Sequence, residues 1–238
     1  MYALLETFIY QVLVQAPMAA VKKSDFVEIE YTGKTSEGIV FDTTSEKTAK
    51  EHNLRSKNSD YSPIVVCIGE NAIMKSLEDQ IVGKETGKNY TFSINAEDAF
   101  GKKDAKMIQL IPMSKFRQQK IQPIPGLQLN IDGSFGVVRT VSGGRCLVDF
   151  NHPLAGKDLV YEVKINKIVE DDKEKLISLL EMQLHAKDPK VEVANGAATI
   201  TLNVELPKEI QQGIVKIVSR VIPSIKTVDF TAEKEKKE

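Results

Sequence analysis

The sequence predicts an α+β chain in which an antiparallel sheet around a short helix is interrupted by a small β-rich insertion and followed by a C-terminal α+β module. Three observations predict this. Alternating strands open the chain, and the same pattern returns at "VYEVKINKIVE". Between the two lies a stretch of different texture, residues 105–149, dense in turn residues. Beyond residue 170, helical and strand periodicities alternate.

The elements follow in order. "MYALLETFIYQVLVQAPMAA" is apolar and ends in Ala-Ala, yet it has no basic n-region and Glu6 interrupts it, so it is not read as a secretory signal. Met18 opens "MAAVKKSDFVEIEY" in the manner of a start, so residues 1–20 are expected to be an extension outside the fold, with residues 1–17 ahead of that start. In "DFVEIEYTGK", Val27, Ile29 and Tyr31 alternate with Glu28 and Glu30, the period of a strand with one wet face. "SEG" turns the chain into a second strand, "IVFDTT". Residues 45–62 are polar and aperiodic and read as a surface loop, after which "PIVVCIG" is a short apolar strand. Asn71 is the expected N-cap of a helix carrying Ile73, Met74, Leu77 and Ile81 on one face, ended by Gly83. "NYTFSIN" alternates Tyr90, Phe92 and Ile94, and "AEDAFGKKD" is a loop.

In the insertion, "MIQLIP", "LQLNI", "GVVRTV" and "CLVDF" are strand-like runs. Pro123, Pro125, Gly126, Asp132-Gly133 and Gly143-Gly144 separate them. The C-terminal part reads as a helix "DDKEKLISLLEMQLHAK", a hairpin about Asn195-Gly196, a helix opened by Pro207 and a strand "IKTVDF" before a charged tail. The expected organisation is therefore 1–20 extension, 21–104 plus 150–170 parent domain, 105–149 inserted domain and 171–238 C-terminal domain.

Composition narrows the function classes. The net charge is −1 with 27% charged residues, which offers no basic face for nucleic acid or anionic membrane. The aromatics Phe116, Phe135 and Phe150 are scattered, so the mildly basic insertion has no stacking platform for RNA. No apolar run reaches about 20 residues, the length needed to cross a bilayer. Cys67 and Cys146 are the only cysteines and have no metal or redox spacing, which fits a reducing, cytoplasmic setting.

Acid, base and metal chemistry find little support. HExxH, GxSxG, P-loop and dinucleotide patterns are absent, and His52 and His185 have no ligand-spaced neighbours. No metal and no cofactor are expected. His152 in "NHPLAGKDL" has Asp149 as its nearest orienting acid and no nucleophile, so that loop reads as positional, with His152 structural. Asp42 stands out because an acidic side chain directly after an apolar strand must be exposed or paired. Capping of the turn through Thr43 or Thr44 is the alternative reading.

The segments "VEIEYTGKTSEGIVFDTT", "IGENAIMKSLEDQIVGKETGKNYTFSI", "AEDAFGKKD" and "NHPLAGKDLVYEVKI" resemble the FKBP-type peptidyl-prolyl isomerases, and most of all the SlyD-like branch, which carries a chaperone domain inserted in the flap. The resemblance runs in order over residues 24–168. The C-terminal part resembles, more loosely, the extra domain of long archaeal members. The resemblance implies an FKBP-type half-barrel and an apolar cleft for an X-Pro bond. It places Tyr31, Asp42 and Phe100 as catalytic. Phe41, Ile64, Ile73, Met74, Leu77, Leu154 and Tyr161 would bind substrate. Leu77 stands where many members carry tryptophan and Phe100 where tyrosine is common, so a hydroxyl donor and an indole floor are both missing.

The implied partners are unfolded or partly folded polypeptides containing X-Pro. In the insertion, Ile108, Leu110, Ile111, Met113, Phe116, Ile121 and Ile124 are an apolar series of which about half must fill the small unit's own core; the rest would hold unfolded chain. A non-enzymatic holding chaperone on the same scaffold is the alternative. For the C-terminal helix, the stripe Ile210, Ile214, Ile217 and Val221 has two readings, a homodimer contact or internal core. The His-rich tail that is the usual reason to expect nickel or zinc in SlyD-like proteins is absent from the sequence.

Overall fold

The structure is a computed structural model that describes residues 19–54, 61–131, 133–186 and 189–232. The expected extension, apart from Ala19 and Ala20, and the end of the charged tail lie outside the described residues, as does Asp132. In chain order the strands and helices begin with β1 (Phe26–Thr35), β2 (Val40–Thr43), α1 (Glu46–Glu51), β3 (Ile64–Cys67), α2 (Lys75–Ile81) and β4 (Lys88–Ile94). Then come β5 (Ile108–Pro112), α3 (Met113–Gln118), β6 (Gln128–Ile131), β7 (Ser134–Ser142) and β8 (Arg145–Asp149). The chain closes with β9 (Leu159–Val169), α4 (Asp172–Leu184), β10 (Lys190–Ala194), β11 (Ala197–Leu202), α5 (Lys208–Val221) and β12 (Thr227–Ala232). Among the described residues two compact units result, one from those up to 93 together with those from 160 onward, and one from 94–159.

In the first unit β1 is shared. Its first half pairs antiparallel with β3 (Phe26 opposite Cys67, Ile29 opposite Ile64) and its second half with β2 (Gly33 opposite Asp42), while β9 lies between β1 and β4. The period-two pattern explains the strand. Val27 and Ile29 are fully buried, whereas Glu28 and Glu30 face out and accept hydrogen bonds from the Asn166 amide at 2.9 and 3.0 Å. Lys164 adds a bond to Glu30 at 3.1 Å, and these two partners, Asn166 first, hold the Glu30 carboxyl below the usual range.

Two local expectations need correction. Asn71 does not cap the helix: it sits in the left-handed region at φ 56°, and α2 begins only at Lys75 after Met74. The polar stretch after β2 is not all loop. The Ser45 hydroxyl accepts the Thr48 amide and starts α1, whose only buried residue is Ala49. Residues 55–60 of that expected loop lie outside the described residues.

The C-terminal residues share one core with the opening strands. Phe26, Cys67 and Val169 pack with Leu176, Leu180, Ile200, Val218 and Ile222. Asp171 caps α4 through the Glu174 amide at 2.8 Å, and β10 and β11 form the hairpin about Asn195-Gly196, both at positive φ as a tight primed turn requires. The α5 crossover then returns β12 parallel to β11. Ile214, Val218 and Val221 of α5 are buried and Ile217 packs against the same core, so most of the apolar stripe is internal; Ile210 is exposed.

The second unit is an antiparallel sheet in the order β5-β8-β7-β6. Its core is Ile111, Phe116, Val138, Cys146 and Val148, with Met113, Ile121, Leu129, Ile131 and Phe150 against it. The one-turn helix α3, which strand periodicity does not predict, is what turns Phe116 inward. The two segments that flank its sheet are tied to each other. Asn151 accepts the Asp104 amide at 2.8 Å and returns its own amide to the Asp104 carbonyl at 3.0 Å.

Asp149, 3% exposed, accepts two bonds from the Arg139 guanidinium, at 2.8 and 3.1 Å, and two from Asn151. Burial alone would push its carboxyl up, but the Asn151 and Arg139 hydrogen bonds outweigh burial and hold it at about 2. A carboxyl lowered on folding contributes its stability fully above the unfolded value, about pH 4, and loses it as the pH falls through the folded value. At neutral pH, Asp149→Asn is therefore expected to destabilise the second unit by roughly 2–3 kcal/mol. In denaturation followed by circular dichroism, the gap from the unmodified protein should narrow between about pH 4 and about pH 2; a gap independent of pH would contradict this account.

Candidate functional site

The densest constellation of the first unit forms where β1, β2 and β9 meet. The Tyr31 hydroxyl donates to the Asp42 carboxylate at 2.8 Å. The Tyr161 ring from β9 lies 6.0 Å from that of Tyr31, and Phe41 meets Tyr161 edge-on at 5.8 Å. Backbone pairing produces this grouping, because Gly33 stands opposite Asp42 in the ladder. A Cβ on Gly33 would fall 2.9 Å from both the Phe41 Cζ and the Tyr161 Cε1 atoms, so the two rings close over a position that only glycine can occupy without displacing them.

Thr43 and Thr44 make the turn without Asp42. The Thr44 hydroxyl accepts the Tyr31 amide at 2.8 Å and Thr43 bonds Thr32 and the Ser45 amide. Asp42 itself is exposed and aimed at Tyr31. Burial raises the Tyr31 hydroxyl pKa well above its ordinary value, reinforced by the Asp42 charge and hydrogen bond. Burial and then the same charge push Tyr161 up to about 12. Both phenols are therefore neutral hydrogen-bond donors throughout the physiological range, in a largely apolar setting.

Leu77 is 2% exposed on the inner face of α2, and Ile73 and Met74 are half-buried in the turn that enters it. Ile64, half-buried, opens β3 opposite Ile29. Sequence reasoning missed Glu78, which is 2% exposed. Its carboxylate accepts the Gly69 amide at 2.8 Å and the Ile73 amide at 3.2 Å, fixing the loop that presents Ile73 and Met74. The available signal was spacing: Met74, Glu78 and Ile81 stand four and three apart, which puts the acid on the apolar face.

Phe100 and Leu154 belong to the second unit. Phe100 is exposed with its ring flat against the His152 imidazole, and Leu154 is half-buried in the turn after it. The apolar series of the insertion divides. Ile111 and Phe116 are core, which removes them from any surface, and Ile108, Met113 and Ile121 are half-buried. Leu110 and Ile124 are exposed, joined by Met107 and Phe135, which the sequence reading did not assign to that surface. Met107, Leu110, Ile131 and Phe150 line one open groove.

Among the described residues, no group of three His, Cys, Asp or Glu is placed to hold a metal ion, and no helix is long and apolar enough to cross a membrane. Cys67 and Cys146 are both free and buried; burial, with the Glu70 and Glu78 charges, pushes the Cys67 thiol up to about 12.

Comparison with known proteins gives a consistent result. Residues 109–154 match the family model described as "FKBP26, IF domain". A short-type peptidyl-prolyl cis-trans isomerase of Methanocaldococcus jannaschii is 30% identical over 148 residues, covering 62% of this chain and 94% of that protein. The FKBP-type 16 kDa peptidyl-prolyl cis-trans isomerase of Escherichia coli is 28% identical over 153 residues, 63% of this chain and 94% of the relative. The FKBP-type isomerase SlyD of Haemophilus influenzae is 26% identical over 149 residues, 61% and 70% of the two chains. With these relatives matched over most of their length, the chain belongs to the FKBP-type peptidyl-prolyl cis-trans isomerase family, in its SlyD-like branch.

Proposed function

We propose that this protein accelerates cis-trans isomerisation of X-Pro bonds in folding polypeptides, with the reaction in the apolar cleft of Tyr31, Phe41, Asp42 and Tyr161. In this reading Ile64, Ile73, Met74 and Leu77 extend the binding surface, and Phe100 and Leu154 are assigned to it by the resemblance alone. The observation that carries the proposal is the Tyr31–Asp42 hydrogen bond beside the Tyr161 and Phe41 rings, a fixed dipole at the edge of an aromatic wall.

Such a site needs no nucleophile or proton transfer. Amide resonance sets a rotation barrier of about 18–20 kcal/mol, and both X-Pro isomers are populated. The planar amide is more charge-separated than the twisted transition state, so an apolar pocket disfavours the former relative to the latter. Each ~1.4 kcal/mol of that difference is worth tenfold in rate. Asp42 then acts by orienting the Tyr31 hydroxyl.

Asp42→Ala, which removes one hydrogen bond to a neutral donor, is expected to lower kcat/KM on a short X-Pro peptide about tenfold. An Asp42→Ala protein with full activity would reject the role. The broader test is refolding of a proline-limited protein: acceleration abolished in Tyr31→Ala supports an isomerase. Suppressed aggregation without acceleration would make the protein a holding chaperone instead.

We further propose that the second unit holds unfolded chain. Leu110, Ile124, Met107 and Phe135 support this: each is a large apolar side chain at least 41% exposed, and a small monomeric unit rarely leaves so many uncovered without use. The methionine adds adaptability to differing sequences.

A further inference from the structure

Two phenols meet at the aromatic wall, and only one of them has its hydroxyl engaged within the chain. Tyr31 donates to the Asp42 carboxylate at 2.8 Å. The Tyr161 hydroxyl has no hydrogen-bond partner among the described residues. No fully buried side-chain oxygen among them is left unpaired, so the Tyr161 oxygen reaches the surface although the residue as a whole is only 6% exposed. A tyrosine buried to this degree ordinarily has a partner for its O–H. Its ring is held on two sides. Phe41 meets it edge-on at 5.8 Å, and the Gly33 backbone lies so close behind that a Cβ there would stand 2.9 Å from its Cε1 atom. The hydroxyl is thus an unpaired donor on a fixed stem. Burial and the Asp42 charge, which push it up to about 12, keep it protonated at neutral pH.

We infer that the Tyr161 hydroxyl anchors substrate by donating to a peptide carbonyl next to the isomerising X-Pro bond, and not to the carbonyl of that bond itself. The inference rests on the isomerase reading. Amide chemistry selects the carbonyl. The oxygen of the X-Pro amide carries more negative charge in the planar form than in the twisted transition state, so a donor aimed at it would hold the bond planar and slow rotation. The carbonyl of a neighbouring peptide unit keeps its charge while the X-Pro bond turns. A hydrogen bond to it is equally strong in the ground and transition states, which tightens binding and leaves the chemical step alone. Because Phe41 and Gly33 already restrain the ring, little freedom is lost when that bond forms.

The experiment measures kcat and KM of the full-length protein and of Tyr161→Phe on a short X-Pro peptide, with a thermal melt of each. The substitution removes one oxygen and no bond within the described protein, so the melting midpoint should not move. KM is expected to rise about fivefold with kcat unchanged, the effect of one neutral hydrogen bond. Two further peptides carry an ester, a weaker acceptor, in place of the peptide bond before X or of the one after proline. With the unmodified protein one of them should show a similar rise in KM, and with Tyr161→Phe that rise should disappear. An unchanged KM in Tyr161→Phe, a loss confined to kcat, or ester effects identical in the two proteins, whatever their midpoints, would overturn the inference and leave the isomerase reading standing. An unmodified protein inactive on the peptide and in proline-limited refolding would end both.

Discussion

Gly33→Ala should cripple the cleft from behind. The added methyl would stand 2.9 Å from atoms of two aromatic rings, Phe41 and Tyr161, that also pack edge-on against each other. Neither ring can turn away without losing the other, so both must shift by several tenths of an ångström. Overpacking of this kind costs about 1–3 kcal/mol. The larger effect is on catalysis, where displacement of groups that line a reacting bond is worth about a hundredfold in kcat/KM. Peptide kinetics together with a thermal melt check this. A lowered melting midpoint with unchanged kcat/KM would mean that the rings around Gly33 do not contact substrate.

The second large effect belongs to the other unit. Leu110 and Ile124 are 54% and 59% exposed and contribute little to their unit's core. Leu110→Glu combined with Ile124→Glu is therefore expected to change stability by only about 0.5 kcal/mol per site. On the holding proposal, a protein substrate should be turned over with about a hundredfold lower kcat/KM by the double variant, because a client held by the same chain that carries the cleft has an effective concentration raised by about that factor. Short peptides, which need no tether, should be turned over as before. Equal losses on both substrates would argue against a holding surface and for damage to the cleft.

The strands were legible because their burial has a simple period. Val27 and Ile29 against Glu28 and Glu30 could be read as inside and outside before any coordinates, and the return of that pattern in β9 marked the insertion. What escaped was short or bound through the main chain. α1 buries only Ala49, and α3 offers a single inward ring, Phe116, too little to set a helical period. Asn71 has the chemistry of a cap but is used for its tolerance of a left-handed backbone. Glu78 looked like surface because a buried acid is rare, and the two amides it serves come from a loop whose path no pattern specifies. Within the site, the pairing of Tyr31 with Asp42 follows from strand register, which places Gly33 opposite Asp42 and leaves the neighbouring tyrosine in reach. The stack of Phe100 on His152 joins residues 52 apart along the chain, and no local pattern links them.

The division of the chain also bears on its own birth. The 94–159 unit is drawn from one continuous stretch, whereas the other unit cannot finish its sheet until β9 has been made and slipped between β1 and β4, nor its core until Ile225. On a ribosome, where segments become available from the N-terminus onward, the contiguous unit is expected to fold while β1 to β4 still wait for their missing neighbour. The nascent protein would then present the exposed Leu110, Ile124 and Phe135 before the sheet of its other unit is complete, and on the holding proposal the first loose chain within reach is its own.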